Sequence, residues 1–121
     1  MATAKDTGYL KLDAILAAPD TVTQDVDIPE WGGSVKVKSL TKKEQFRIRT
    51  DAVDKKGNVN EERMEAGLLV EGLVEPKVQP HHVADLFEKQ SGPVDRILQA
   101  IMAVSGMTEE DMTNAEATLK S

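Results

Sequence analysis

Three groups of residues carry the side-chain types that chemistry uses: the adjacent His81 and His82, the paired carboxylates Asp25 and Asp27, and the polar run DKKGNVN around Gly57. Neighbouring positions on a helix point about 100° apart, so the two imidazoles are poorly placed to serve one metal. With no cysteine and no third histidine in the chain, a tetrahedral zinc set cannot be completed. Asp25 and Asp27 flank Val26 in a stretch of period two, where they are expected on the solvent side of an edge strand and discourage pairing with other chains. The run at Gly57 invites comparison with a calcium loop. With Gly57 in the glycine slot, however, the leading ligand position falls on Ala52, and a loop without its first carboxylate is not an EF-hand. No G-x-S-x-G, P-loop or dinucleotide fingerprint is present. The residues therefore point to a protein that binds and is not an enzyme, with no cofactor and no metal expected.

Composition narrows the binding partner. The 121 residues carry a net charge of −6, which disfavours nucleic acid, because phosphate-led binding depends on clustered Lys and Arg. A basic or mainly apolar protein surface is the better complement. The absence of cysteine fits a reducing compartment. MATAKDTGY has no long apolar signal region and no run is long enough to span a bilayer, so a cytoplasmic protein without membrane contact is expected. Aromatic residues make up only 3% of the chain, leaving Leu, Ile, Val, Met and Ala to fill one core.

The elements that position these residues start from the stretch between Val22 and Arg49. Val22, Gln24, Val26 and Ile28 alternate with polar residues, and the alternation resumes at Val35 and Val37, so a β-hairpin is predicted with its apolar side chains on one face and PEWGG as the loop. Leu40 precedes Thr41-x-x-Glu44, the spacing of a capping box. The helix it opens, from Lys42 to about Val53, places Phe46, Arg49 and Val53 in one row with Ile48 and Ala52 beside them. A bare hairpin is marginal, so helices must cover its apolar face.

Five further helical stretches follow from the spacing of apolar residues. Before the hairpin, Tyr9 to Ala18 forms a short helix with Leu12, Ile15 and Leu16 on one side. Being too short to stand alone, it must dock, on its own domain by default or on a neighbour. Asn60 caps the helix NEERMEAGLLVEGLV, whose apolar face is too broad for a surface helix and whose Gly67 and Gly72 signal close approach of other elements; Pro76 stops it. A third helix of the body runs from about Pro80 to Gly92, with Val83, Leu86 and Phe87 inward. Pro93 opens another with Val94, Ile97, Leu98, Ile101 and Met102 in register, closed by Gly106. A final helix, Glu109 to Leu119, follows Thr108, with Met107 and Met112 at the positions of a hydrophobic staple and Met112, Ala115 and Leu119 as a thin apolar stripe. The expected fold is α+β, mainly α: a hairpin packed against four or five helices in a single domain over 21–121, preceded by an arm over 1–20.

The segments IPEWGGSVKVKSLTKKEQ, KKGNVNEERMEAGLLVEGLVEPK and SGPVDRILQAIMAVSGMTEED, in that order, resemble the tail assembly chaperones of long-tailed phages and prophages of Gram-positive bacteria. The likeness spans about Val26 to Met112. It implies a non-enzymatic role in viral morphogenesis: binding the tape measure protein in the host cytoplasm, keeping it soluble, and bringing the major tail tube protein to it, with no place in the finished virion. In many relatives a frameshift appends a second domain, and this chain resembles the short form. Relatives coat their client in several copies, which makes a homo-oligomer compatible with the role.

Such a client exposes apolar stripes, so an adaptable apolar groove is required. Met102, Met107, Met112 and Leu119, towards the C-terminus, are the candidates to line it; filling the core is the alternative, favoured slightly for Met102. Trp31, flanked by glycines at the hairpin tip, is either a lid packed over the sheet or an exposed anchor for a partner, with packing the default. A different reading is a small acidic regulator that mimics DNA. Lys42, Lys43, Arg47, Arg49, Lys55 and Lys56 interrupt the negative field that such a mimic needs.

Overall fold

The hairpin forms as its alternation demands. In the computed structural model, which describes residues 8–107, β1 (Thr23–Ile28) and β2 (Gly33–Lys38) pair antiparallel. Val26 lies opposite Val35, Gln24 opposite Val37 and Ile28 opposite Gly33. Val26, Ile28 and Val37 are buried, whereas Asp25 and Asp27 face solvent on the outer edge strand. The tip is a 3-10 turn, Pro29–Trp31, closed by Gly32 at φ 77°, a conformation that glycine adopts without steric cost.

Thr41 starts α2 (Lys42–Ala52) with a complete capping box: its hydroxyl accepts from the Glu44 N–H at 3.1 Å, and the Glu44 carboxylate accepts from the Thr41 N–H at 2.8 Å. The inward face differs from the expected row. Ile48 and Ala52 are buried, while Phe46 is 55% exposed between Lys42 and Arg49, whose charged groups lie 5.4 and 5.0 Å from its ring centre. The reason is the closeness of the next helix, since a β-carbon on Gly67 would stand 2.9 Å from Ile48. A phenyl ring has no room in that seam.

After α2 the Asp54 carboxylate accepts from the N–H groups of Lys56 and Asn58, both at 2.9 Å, and Gly57 takes φ 85°. Asn60 caps α3 (Glu61–Gly72) by accepting from the Arg63 N–H at 3.0 Å. Here the apolar period misleads: the helix stops at Gly72, and Leu73–Glu75 is a third strand, β3, paired antiparallel with β2. Leu73 continues the helical pattern in sequence, yet it leaves the helix with φ −80°, ψ 122° and lies opposite Val37, burying its side chain while β3 satisfies the open edge of β2. The sheet order is β1-β2-β3.

The helix expected from Pro80 to Gly92 is divided. A 3-10 turn (Pro80–His82) leads into α4 (Val83–Phe87), and Ser91 and Gly92 belong instead to α5 (Ser91–Val104). The N–H groups of Glu88 and Lys89 bond to the carbonyls three residues back, closing α4 tightly, and Gln90 turns extended before α5 begins. Pro93 sits in the first turn, where its missing N–H costs no helical bond. Gly106, at φ 72°, ends α5 in a Schellman arrangement: Met107 N–H to Met102 C=O at 2.8 Å and Gly106 N–H to Ala103 C=O at 3.1 Å.

The core forms where α5 crosses β1 and β2 and α3 packs on both α5 and α2. Val37, Leu69, Ile97 and Ile101 are at its centre. The arm helix, α1 (Leu12–Ala17), contributes no buried residue. Among the described residues the expected docking on its own domain buries none of the arm's side chains: Ala18 is extended, Pro19 follows the end of the helix, and Val22 is fastened to the body by bonds from its N–H and C=O to Ser39. The predicted final helix, with Met112 and Leu119, lies outside the described residues.

Candidate binding groove

On α3, two neighbouring rows of i, i+4 positions face away from α5: Glu62-Ala66-Val70 and Arg63-Gly67-Glu71. They border an open groove of about 660 Å3 between α3, α2 and α4, in the size range of ligand sites. Its apolar lining includes Ile48, Ala66, Val70, Val83, Ala84 and Phe87. Two features of the chain create it. Gly67 draws α2 close at Ile48, and α4, only five residues long, covers one flank of α3 incompletely. The rim carries both charge signs, with Arg47, Asp51, Glu62 and Arg63 around the mouth and Arg47 bonded to Glu71 at 3.0 Å. A smaller polar hollow of about 290 Å3 lies where Leu40, Thr41, Val104 and Ser105 meet, and there the Leu40 N–H donates to the Ser105 hydroxyl at 2.9 Å.

None of the expected binding residues that the structure describes lines the groove. Met102 and Met107 are half-buried against the core and are linked by the bond that closes α5. Trp31 is 39% exposed and is not a core residue, so the default of packing over the sheet does not hold. Its turn is fastened to α5 by Glu30, whose two carboxylate oxygens accept from the Arg96 guanidinium at 2.7 and 2.8 Å. Those bonds hold the Glu30 carboxyl down at about 2. The groove residues Ala66, Val70 and Phe87 were hidden in patterns that equally describe a core. The one signal for them was the breadth of the α3 apolar face, more than a single neighbour covers.

The histidines have a local structural use. Their rings touch at 4.0 Å between centroids with the planes tilted by 49°, and His82 Nδ1 accepts from the Gln79 N–H at 3.0 Å, closing the turn before α4. Among the described residues no group of three His, Asp or Glu side chains converges as a metal site. Glu65 departs from ordinary behaviour: burial, followed by the negative charges of Asp95 and Glu61, raises its carboxyl pKa. Among the described residues no helix is long and apolar enough to cross a membrane. Comparison with protein families, with curated proteins and with solved structures gave no match.

Proposed function

We propose that the protein is a phage tail assembly chaperone whose groove between α2, α3 and α4 holds an amphipathic helix of the tape measure protein. The groove is the observation that carries this reading. An apolar trough with charges of both signs along its rim suits a helix that presents an apolar stripe flanked by polar residues, the helix-in-groove mode of recognition. The resemblance of the three sequence segments supplies the client's identity. The chaperone would act in the host cytoplasm without making or breaking a bond, screening the client until tail tube protein assembles around it. The groove takes the place of the methionine-lined surface suggested by sequence alone.

Co-expression with a phage tape measure protein tests the reading, with the soluble fraction of the client as readout. Ala84 lines the groove but is exposed, so Ala84→Glu should leave the fold intact while placing a charge against the client's apolar stripe. A loss of at least about tenfold in affinity, roughly 1.4 kcal/mol, is expected. Full solubilisation by Ala84→Glu, with loss in Met107→Asp instead, would move the site to the C-terminal end of α5. No solubilisation by the unaltered chain would end the reading.

A further inference from the structure

Among the described residues, the apolar side chains of the arm are exposed and the groove stands open. Leu10, Leu12, Ile15 and Leu16 are between 51% and 76% exposed. At about 100 Å2 for each such side chain, they offer on the order of 400 Å2 of apolar surface, as large as the largest patch on an ordinary monomer. Leu12, Ile15 and Leu16 share one face of α1 at i, i+3 and i+4, with Lys11 and Asp13 to either side of the stripe. Six residues are too few for a helix to persist in water without a partner.

We propose that α1 of one copy seats in the groove of a second copy, and that the exchange is reciprocal, giving a dimer. Charge supports this occupant. An arm bearing Asp13 on one side of its stripe and Lys11 on the other meets a rim with Arg47 and Arg63 as well as Asp51 and Glu62. Area supports it too. Two arms at about 400 Å2 each, with the smaller groove surface that they cover, come to about 1,100 Å2, enough to clear the ~1,000 Å2 expected of a specific interface, whereas one arm alone gives half of that and a weaker contact. The path of the chain agrees, because the helix ends at an extended Ala18 before Pro19 and α1 buries none of its residues. Exchange of an identical element between copies is a low-cost route to a dimer. The proposal concerns the chain without its client: the arm holds the groove until a client helix displaces it, so self-association is tested with the client absent.

Sedimentation velocity of the full chain through the micromolar range tests it, with circular dichroism confirming the fold of each variant. The unaltered chain should pass from monomer to dimer. Leu12→Asp with Leu16→Asp, and separately Ala84→Glu, should each remain monomeric at concentrations at least tenfold higher. Mixing the two variants, one with an intact groove and the other with an intact arm, should give a weaker heterodimer through a single arm, formed above the concentrations that the unaltered dimer needs but where each variant alone is still a monomer. A monomer at every concentration would overturn the proposal, whether the arm is free or folded onto its own groove. So would a dimer that survives either change, or a mixture that does not associate.

Discussion

A β-carbon added to Gly72 would lie 2.6 Å from Cγ2 of Ile101, a side chain with no exposed surface. Helix propensity alone favours alanine over glycine by about 1 kcal/mol, but overpacking a filled core costs about 1–3 kcal/mol, and Ile101 has nowhere to move. Gly72→Ala should therefore lower Tm, by up to about 10 °C. Ile101→Ala removes the obstructing atoms and is itself destabilising by about 2–5 kcal/mol. In that background the added methyl should cost nothing further, a coupling that a double-mutant cycle measures directly.

Gly92 gives the opposite sign. It lies in the first turn of α5 without a positive φ, and a β-carbon added there would meet no heavy atom within 4 Å. Gly92→Ala should stabilise the protein by about 0.4–1 kcal/mol, chiefly by restricting the unfolded chain. A higher urea midpoint at unchanged m-value is the expected reading.

The contrast also marks what the sequence could disclose. Thr41 with Glu44, Asn60 and Gly106 act through bonds to residues at most five positions away, so their types and spacing announced the helix ends. The hairpin was legible for the same reason, its period and its Pro-Gly tip being local. β3 was not: Leu73 and Val74 extend the α3 pattern, and only the open edge of β2, distant in sequence, makes them a strand. The inward face of α2 was hidden because Phe46 and Ile48 are both apolar, and the choice was made by Gly67 on another helix. The groove is still further from view, since it consists of apolar surface left uncovered by a short neighbour.

The Thr41 cap carries a prediction of its own. Thr41→Ala removes an acceptor for the Glu44 N–H and should cost about 1 kcal/mol, within a range of about 0.5–2, whereas Thr41→Ser should be close to neutral. Chemical denaturation of the two variants checks it. Burial tends to raise the Glu44 carboxyl, but the Thr41 N–H and Lys38 outweigh it and hold the pKa below the ordinary value. Loss of the cap geometry should therefore also move the Glu44 titration upwards, visible by NMR.

Glu65 makes folding less favourable as it ionises. Its folded pKa is raised, by burial first and then by Asp95 and Glu61, so the folded state holds the proton more tightly than the unfolded chain does. Stability from this group is greatest below the unfolded value of 4.5 and declines as pH rises through the folded one. Glu65→Gln should thus raise Tm at neutral pH, by no more than about 4 °C after allowing for solvent screening. The gain should disappear in acid. A gain that is equal at both pH values would point to a cause other than charge.

The bond between Glu30 and Arg96 predicts an acid-side transition at the hairpin tip. The guanidinium fork holds the Glu30 carboxyl at about 2, against an ordinary value of 4.5. Because the folded value is the lower one, this group's contribution to stability is complete above pH 4.5 and is lost as pH falls from 4.5 towards 2. Arg96→Met keeps an apolar stem but removes the donors, so the Glu30 carboxyl resonance should titrate at about 2 in the unaltered chain and move up towards the ordinary value in the variant, where only a backbone bond still lowers it. The destabilisation caused by Arg96→Met should shrink to nothing at the acid end. Trp31, next in the chain and the only tryptophan, offers a second reporter: its fluorescence should change with the same midpoint as the carboxyl, and a Trp31 signal flat through this range would mean that the ion pair does not hold the tip in place.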